Sequence, residues 1–467
     1  MNGGRALSTL IESLSNYAAE LEYEDISERA INTTKQAILD SYGNIICGCF
    51  SKESTQIKVY ARYLTEGYLS KEQVPLLDVQ TSFVSPRAAL FYYAAMGRMA
   101  DMDDGFSRAM GHPGSFLIPA LLVMGWLYPC SGRQAIGAIV AAYDVYARIG
   151  EAINPSMHRE RGFDATGVCG AVAAAALIAK IKQLDKEQFR NAAALAASFS
   201  GGLIECQNDG TSGKYLCGAR ALMNALQAVE LAAHGFTGPY KALEGKAGLF
   251  NAFCGRAGFD ASHVLDGIGS EFKINDIYFK RYACLRGVHA TMDAILSLLQ
   301  KYNLEEDDVD AIDIRASSYL MRLSRPAPQT VVAAQGSLQF TSAVILKYRR
   351  LDSESFLREC MRNNEILELM KKITVTPDDE MEAHYSANLS HFSASKVKLT
   401  TKDGQTFEAV KFVPDGESKD DRFGWDMLEA KFRNLAGATP ITRREEEYIH
   451  FIKHLEKQES IKKLLQV

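Results

Sequence analysis

Residues 167–181 read GVCGAVAAAALIAKI, and similar stretches follow at 191–199 (NAAALAASF) and 218–235 (GARALMNALQAVELAAHG). Small side chains let neighbouring helices approach closely, so the three stretches predict helices packed at the centre of a large helical domain. Gly235 predicts the end of the last helix. Apolar stretches in this chain fall short of the roughly 20 residues that cross a bilayer, so we expect no membrane span.

The periodicity of apolar residues changes once along the chain. It is helical over roughly the first 265 residues, alternates with period two further on, and becomes helical again from Trp425. Alternation predicts strands, with a hairpin turn at Asp403-Gly404, in the stretches 309–317, 372–376 and 396–412. The sequence thus predicts a mostly α protein: a large all-helical domain at 1–266, completed by C-terminal helices in 416–467, and a smaller α+β domain at 267–415.

Composition excludes several classes of function. A chain of 467 residues exceeds the size at which one hydrophobic core stops growing, and its net charge of -5 comes without basic clusters interleaved with aromatics. We therefore expect no nucleic-acid partner. Nine cysteines without CxxC spacing argue against disulfides and zinc. The N-terminus lacks the uninterrupted apolar core of a signal peptide, so we expect a cytoplasmic protein.

The first candidate site is an acidic turn followed by an imidazole. Asp101, Asp103 and Asp104 precede His112 in DMDDGFSRAMGHPGS at 101–115. A carboxylate near an imidazole can orient it as a proton donor or base. A solvated acidic loop with Ser115 as a helix cap explains the same residues, so this segment alone leaves both interpretations open.

The second candidate is a cluster of arginines before a helix. Arg159, Arg161 and Asp164 lead into the stretch at 167–181, and Thr166 is the predicted cap. Guanidinium groups beside a helix N-terminus suit a di- or tricarboxylate ligand. A surface salt-bridge cluster is the alternative.

Two further segments carry lysines. Lys214 follows Gly210 and Gly213 close to the small-residue helices, and burial there would lower its pKa and make it a usable base or electrostatic clamp. A phosphate loop is excluded because Tyr215 stands where Ser or Thr would be needed. At the domain boundary, cationic groups suggest closure of a second domain over an anion, although a polar helix cap also explains the last of them; they are Lys280, Arg281, Arg286 and His289.

In this order, the segments resemble the signature blocks of the MmgE/PrpD family over nearly the whole chain. Besides the acidic block at 101–115, the matching blocks are AILDSYGNIICG (37–48), HGFTGPYKALEGKAGLFNAF (234–253) and KRYACLRGVHATMDA (280–294). Known members include 2-methylcitrate dehydratase, cis-aconitate decarboxylase and iminodisuccinate epimerase. The resemblance implies a large helical domain, a smaller lid domain, a homodimer, and a small polycarboxylate substrate handled without a metal or other cofactor.

The resemblance also implies roles for individual residues. Lys214 would stabilise an enolate-like intermediate or move the α-proton, and His112, oriented by Asp101, would protonate the departing group or the carbanion. The predicted catalytic residues are therefore Asp101, His112 and Lys214. The predicted substrate-binding residues are Lys280, Arg286, Arg159 and Asp164.

Some positions depart from the family's pattern. Asp164 and Arg98 stand where the family has histidines, Cys217 replaces the histidine of the lysine block, and Gly105 replaces a threonine of the decarboxylase. A carboxylate in place of an imidazole adds negative charge. This predicts a substrate with one fewer carboxylate, or with an amine.

The sequence therefore predicts a cofactor-independent lyase that dehydrates or decarboxylates a small di- or tricarboxylate through a carbanion. An epimerase or isomerase of an amino- or imino-dicarboxylate is the alternative within the same site. A ligand-binding member without catalysis is the alternative of another class. The DMDD motif at 101–104 also matches the acid of terpene cyclases, but only two Trp occur here and neither neighbours the motif.

Overall fold

The computed structural model describes residues 8–52, 54–68, 71–388, 391–417, 423–437 and 439–466. Within these ranges the chain is mostly helical, as predicted, with six short strands in two small sheets. No helix among these residues has the length and apolar character that crossing a membrane requires.

Eleven described α-helices precede residue 266, and the same region contains one short hairpin that the sequence patterns do not predict. The hairpin pairs β1 (Val74–Leu76) with β2 (Val79–Val84) in antiparallel fashion. The helices are α1 (Leu10–Glu20), α2 (Glu28–Phe50), α3 (Ser54–Tyr63), α4 (Pro86–Met99), α5 (Gly114–Leu127), α6 (Gly132–Ile153), α7 (Ala165–Ile181), α8 (Lys186–Phe199), α9 (Glu205–Asn208), α10 (Cys217–Ala233) and α11 (Leu249–Cys254).

The central helix is α7, which contains the stretch at 167–181. Every residue of α7 except Lys180 is buried, and the helix packs against α6, α8 and α10. Its glycine at 167 has no room for a side chain, because a Cβ there would lie 2.3 Å from the carbonyl oxygen of Gly201. The helix is capped by Asp164, whose Oδ1 accepts a 3.0 Å hydrogen bond from the Gly167 N–H. The prediction of Thr166 as the cap is wrong.

The second region surrounds a four-stranded sheet in the order β4-β3-β5-β6. Strands β3 and β4 are parallel and the other pairs are antiparallel, with a hairpin turn at Asp403-Gly404 as predicted. Its elements are α12 (His289–Lys301), β3 (Val309–Ala316), α13 (Ser318–Met321), α14 (Val331–Gln335), α15 (Leu338–Tyr348), α16 (Arg358–Met361), α17 (Asn364–Lys371), β4 (Ile373–Pro377), α18 (Asp379–Ala387), β5 (Ser395–Thr401) and β6 (Thr406–Lys411).

Alternation along the strands positions a second hydrophobic core. On β3 and β5, Ile312, Ile314, Val397 and Leu399 are fully buried in a cluster that also contains residues of α12 and α15. This core is distinct from the larger one, to which the helical region and the C-terminal segment both contribute. The C-terminal helices α19 (Trp425–Ala436) and α20 (Glu445–Lys453) pack on α2 of the larger core. The domain boundaries at 266 and 415 stay a prediction.

Candidate active site

The acidic turn lies in the interior where α4 ends. Asp101 adopts a left-handed backbone with φ of 51°, which turns the chain away from the helix, and the next helix, α5, begins at Gly114. Asp101, Asp103 and Asp104 are all fully buried. Ser115 donates to the carbonyl oxygen of His112 and does not cap α5. The alternative of a solvated acidic loop is therefore wrong.

Asp101 is the centre of a network of buried ions. Its Oδ2 accepts a 2.5 Å hydrogen bond from Nζ of Lys214, and its Oδ1 accepts a 2.7 Å bond from Nζ of Lys280. A third cation, Arg98, lies 3.3 Å from Oδ1. Lys280 also donates to the backbone oxygen of Asp101 at 3.0 Å. One carboxylate thus fixes both of the lysines that the sequence analysis selected.

Burial and neighbouring charge act in opposite directions on this network. Burial alone would raise the pKa of Asp101, but Lys214, Lys280 and Arg98 outweigh it and hold the pKa well below its usual range. Burial lowers the pKa of Lys214, and the attraction of Asp101 offsets this effect only in part because Arg98 and Lys280 repel the ammonium. Lys214 is therefore a better proton donor than an ordinary lysine.

His112 is oriented by two other acidic residues. Its Nδ1 lies 2.8 Å from the backbone oxygen of Asp104 and 3.3 Å from Oδ2 of Asp103. The prediction that Asp101 orients this ring is wrong. A carbonyl oxygen can only accept, so Nδ1 carries the hydrogen and the neutral ring has a lone pair at Nε2. Burial, followed by repulsion from Arg98 and Lys280, keeps the pKa of His112 well below its usual value, which favours the neutral ring.

Asp103 and Asp104 have different partners although they are adjacent. Both oxygens of Asp103 lie 2.7 Å from Nη1 of Arg98, which pairs its charge. Asp104 instead accepts 2.7 Å and 2.8 Å bonds from the Tyr143 hydroxyl and the Gly114 N–H. Burial raises the pKa of Asp104 to about 7 despite these hydrogen bonds, because no cation pairs with it among the described residues.

A narrow cavity of about 50 Å³ opens beside Lys214, between the helical region and the α+β region. Its wall holds four cationic side chains, and no acidic side chain of the described residues belongs to it. This volume admits a few water molecules at most. The cations are Arg159, Lys214, Arg322 and Arg325, and the other wall residues are His158, Ile204, Gln207, Asn208, Leu285, Tyr319, Leu323, Val332 and Gly336.

Arg159 is held by two aromatic residues of the α+β region. Its Nη1 donates to the Tyr385 hydroxyl, and its guanidinium carbon lies 4.8 Å from the centroid of that ring. The same carbon lies 5.4 Å from the ring centroid of Tyr319. Aromatic contacts of this kind orient a guanidinium. The predicted substrate-binding role of Arg159 therefore has a suitable geometry.

The other predicted substrate-binding residues lie outside this cavity wall. Lys280 is fully buried on Asp101. Arg286 pairs with Glu417 at 2.8 Å and donates to the backbone oxygen of Asp415 at 3.1 Å, so its anion partner belongs to the chain itself. Asp164 caps α7 and also accepts a 3.4 Å bond from Gln207. The structure does not bring these three side chains to the cavity.

Sequence reasoning missed the two arginines that complete the wall. Arg322 and Arg325 follow α13, and their nearest described partners are Oδ1 of Asn208 and the backbone oxygen of Gln207, each at 3.2 Å. Neither has an acidic partner within 4 Å in the described part of the chain. Two arginines three residues apart in a segment without acids were the available signal. No group of three or more potential metal ligands is found among the described residues.

Comparison with known proteins now identifies the family. Residues 12–262 match the MmgE/PrpD N-terminal domain, and residues 282–457 match the MmgE/PrpD C-terminal domain. The chain belongs to the MmgE/PrpD family. It is 25% identical to the cis-aconitate decarboxylase-like protein oryM of Aspergillus oryzae, over 97% of this chain and 95% of that protein. It is 23% identical to a cis-aconitate decarboxylase of Aspergillus terreus, over 99% and 96%.

Family membership also decides between two interpretations of the DMDD motif. The terpene-cyclase alternative requires the acidic turn to serve a different fold and a different substrate. In this MmgE/PrpD chain the turn instead holds two lysines through Asp101 and an imidazole through Asp103 and Asp104. The terpene-cyclase alternative is therefore wrong.

Proposed function

We propose that this protein is a cofactor-independent lyase that acts on a small tricarboxylate, and that decarboxylation of a cis-aconitate-like substrate is its reaction. The observation that carries the proposal is the cavity wall, where Lys214 and three arginines meet and no described acidic side chain takes part. Fixed cations of this kind stabilise negative charge that develops beside a carboxylate. The two relatives are a cis-aconitate decarboxylase-like protein and a cis-aconitate decarboxylase, which favours the same substrate class.

The charges around the cavity fit a trianion. Asp101 already neutralises part of the charge of Lys214 and Lys280, so it fixes both ammonium groups without removing the excess of cations. Arg159, Arg322 and Arg325 add three guanidinium groups, which bind carboxylates through paired hydrogen bonds. A tricarboxylate would therefore enter a region of net positive charge.

Decarboxylation needs one acid and a place for negative charge. Loss of carbon dioxide breaks one C–C bond, and the electron pair moves through the existing double bond to the carbon beside another carboxylate. One proton then adds to that carbon, so that a trianion and a proton give a dianion and carbon dioxide. In our proposal the Lys214 ammonium supplies this proton, because its pKa is lowered and it lies on the cavity wall.

His112 fits a different role from the predicted one. Because its Nδ1–H is bound by the Asp104 carbonyl, the neutral ring presents a lone pair at Nε2 and acts as a hydrogen-bond acceptor or base. Removal of an α-proton by such a base, with Lys214 as the acid, would dehydrate a hydroxy-tricarboxylate. Dehydration is therefore the second reaction that this site could perform.

The epimerase alternative loses its main argument. It rested on Asp164 adding negative charge beside the substrate, but Asp164 caps α7, accepts hydrogen bonds from Gly167 and Gln207, and does not belong to the cavity wall. We therefore propose a substrate without an amine. The ligand-binding alternative stays an outcome of the test below.

The α+β region is proposed as a lid. Arg322 and Arg325 come from this region, whereas Lys214 comes from the helical region, so closure would bring cations onto a bound anion. A tricarboxylate has about 12 non-hydrogen atoms, far more than a cavity for a few waters admits, so the regions must separate for entry. The homodimer and the cytoplasmic location stay predictions.

Proton NMR in deuterated water tests the proposed reaction. The purified protein is incubated separately with cis-aconitate and 2-methylcitrate, and olefinic signals and deuterium incorporation are followed. Decarboxylation gives new methylene olefin signals and one deuterium at the protonated carbon of cis-aconitate. A new olefin from 2-methylcitrate alone would indicate a dehydratase instead.

Two other outcomes overturn the lyase proposal. Deuterium exchange into an amino- or imino-dicarboxylate without an olefin would indicate an isomerase. A rise in melting temperature with cis-aconitate, without any turnover, would indicate a binding protein.

A further inference from the structure

The segment before Lys280 brings a tyrosine to the acidic turn. Tyr278 and Gly105 exchange two backbone hydrogen bonds, of 2.8 Å from the Tyr278 N–H and 3.1 Å from the Gly105 N–H. In an extended segment, residues two apart point to the same side. Tyr278 therefore lies on the same side as Lys280, whose ammonium binds Asp101.

Gly105 is required for this position of the tyrosine. A Cβ on Gly105 would lie 2.3 Å from both the hydroxyl oxygen and Cζ of Tyr278. Heavy atoms that are not bonded do not approach this closely, so any side chain at position 105 would displace the phenol. The hydroxyl of Tyr278 thus occupies the space that a residue with a side chain would fill at position 105.

Charged and aromatic neighbours fix the ring. The guanidinium carbon of Arg286 lies 4.4 Å from the centroid of the Tyr278 ring, and Arg286 is itself held by Glu417. On another side, the ring meets His112 edge to face at 6.4 Å between centroids. Arg286 therefore acts on the site through Tyr278, which gives this arginine a positioning role in place of direct substrate binding.

The hydroxyl itself has no hydrogen-bond partner among the described residues, although Tyr278 is only 4% exposed. Two other buried tyrosines are paired, since Tyr143 donates to Asp104 at 2.7 Å and Tyr282 donates to Asp293 at 2.6 Å, whereas the Tyr146 hydroxyl has no partner among the described residues. A buried phenol that is held on two sides and left without a partner is ready to donate to a ligand.

We propose that the Tyr278 hydroxyl donates a hydrogen bond to the end of the bound polycarboxylate that lies beside His112. The proposal rests on the proposed function, because it takes the substrate to be a polycarboxylate. Tyr278 is then a substrate contact in addition to the residues of the arginine-lined cavity wall, to which it does not belong. The Gly105–Tyr278 pair supplies the hydroxyl at this place.

Tyr278→Phe tests the contact because it removes only the hydroxyl. Since that hydroxyl binds none of the described residues, we expect an unchanged melting temperature and a fall of about tenfold or more in kcat/KM, as expected for a lost hydrogen bond to a charged group. Tyr282→Phe is the matched control, because its hydroxyl is paired inside the protein. The control is expected to lower the melting temperature and to leave kcat/KM unchanged. Values of kcat/KM within twofold of the parent for Tyr278→Phe would overturn the proposal.

A second measurement separates this proposal from the proposed function. Binding of propane-1,2,3-tricarboxylate, which has no double bond, is measured by calorimetry for the parent and for Tyr278→Phe. If the parent binds this probe but converts neither cis-aconitate nor 2-methylcitrate, the proposed lyase reaction is wrong. A Kd that is tenfold weaker for Tyr278→Phe than for the parent still supports the contact in that case. Equal Kd values, or a parent that does not bind, would overturn the contact.

Moving the hydroxyl to the other chain segment tests its location. Tyr278→Ala frees the space beside Gly105, and Gly105→Ser in that background returns a hydroxyl to the same place. We expect the double variant to bind the probe more tightly than Tyr278→Ala. Equal affinity of these two variants, both folded by circular dichroism, would contradict the location.

Discussion

Two buried clusters of charged residues in this protein have a similar composition but different roles. The site cluster consists of Arg98, Asp101, Asp103, Lys214 and Lys280, and the interior cluster consists of Tyr17, Asp144, Arg148 and Lys273. In the site cluster, three cations surround Asp101 and hold its pKa well below the usual range. In the interior cluster, burial raises the pKa of Asp144 to about 6. Nε of Arg148, 3.6 Å from Oδ2 of Asp144, and a hydrogen bond from the Tyr17 hydroxyl lower this pKa but offset the effect of burial only in part.

The difference lies in what each arginine or lysine binds besides its carboxylate. Arg148 donates to the backbone oxygens of Asp266 and Glu271, at 2.6 Å and 3.0 Å, and so holds the loop at 266–271 against α6. Lys214 binds Asp101 and reaches the cavity wall. The interior cluster binds backbone groups of the protein and so contributes to stability, whereas the site cluster has an excess of cations that an anionic substrate can neutralise.

The largest expected effect is on turnover in the site cluster. Lys214→Met removes the proposed acid and a wall cation, and we expect kcat to fall by about 10³-fold or more. Lys180→Met is the control, since burial also lowers the pKa of Lys180 but its ammonium binds the backbone oxygen of Ala19 at 3.0 Å. The rates are measured by NMR. Unchanged turnover in Lys214→Met would rule out the proposed mechanism.

The interior cluster should respond in stability instead. Arg148→Met leaves Asp144 buried without its cation, so we expect the free energy of unfolding to fall by about 3–5 kcal/mol. Turnover of the folded fraction at low temperature should stay at the parental value. Arg133→Met, at an exposed pair with Glu24, should cost less than about 1 kcal/mol. Urea denaturation measures both. A loss of activity in Arg148→Met without a loss of stability would reverse the comparison.

The pKa of Asp104 predicts a dependence of stability on pH. Its pKa rises from 3.8 when unfolded to about 7 when folded, so between these values the folded state holds the extra proton and stability falls as pH rises. Asp104→Asn removes this contribution of a titrating carboxyl group to stability. We expect the parent to lose on the order of 3 kcal/mol relative to the variant between pH 4 and 7. Denaturation at several pH values measures the difference, and parallel curves would show that Asp104 is ionised throughout.

A smaller effect is expected at the rim of the cavity. Arg325→Gln removes one wall cation without an acidic partner among the described residues, so we expect KM to rise by about tenfold with little change in stability. Arg350→Gln is the control in the same region, because this exposed arginine pairs with Asp352 and Glu354. Steady-state kinetics measure KM for both variants and for the parent. An unchanged KM in Arg325→Gln would remove this residue from the substrate site.

The smallest effect is expected at Asp164. Asp164→Ala removes the N-cap of α7, which should lower the free energy of unfolding by about 1 kcal/mol. Asp164→Asn keeps an oxygen for the Gly167 N–H and should retain both stability and turnover. Thermal melting and NMR rates measure the pair. If Asp164→Asn lost activity toward an amino-dicarboxylate while remaining stable, Asp164 would contact the substrate and the isomerase alternative would return.

Local patterns predicted the elements of the fold well and the partners of the site residues less well. The strands β3 to β6 follow alternation that depends on neighbouring residues alone, and their bounds lie within a few residues of the predicted ones. The cap of α7 was misassigned to Thr166 because Asp164 and Thr166 are both good caps and lie two residues apart. The hairpin β1–β2 was missed because its strands are only three and six residues long.

The sequence by itself determined the helical centre at 167–181, the α+β region, and the family blocks that single out Asp101, His112 and Lys214. Only the tertiary structure decided that Asp101 holds both lysines, that Asp103 and Asp104 orient His112, and that Arg322 and Arg325 reach the cavity while Arg286 does not. Periodicity and motifs are local, whereas Asp101 lies 113 and 179 residues from the lysines it binds. Which of several charged residues pair across such separations depends on distances that only the folded chain fixes.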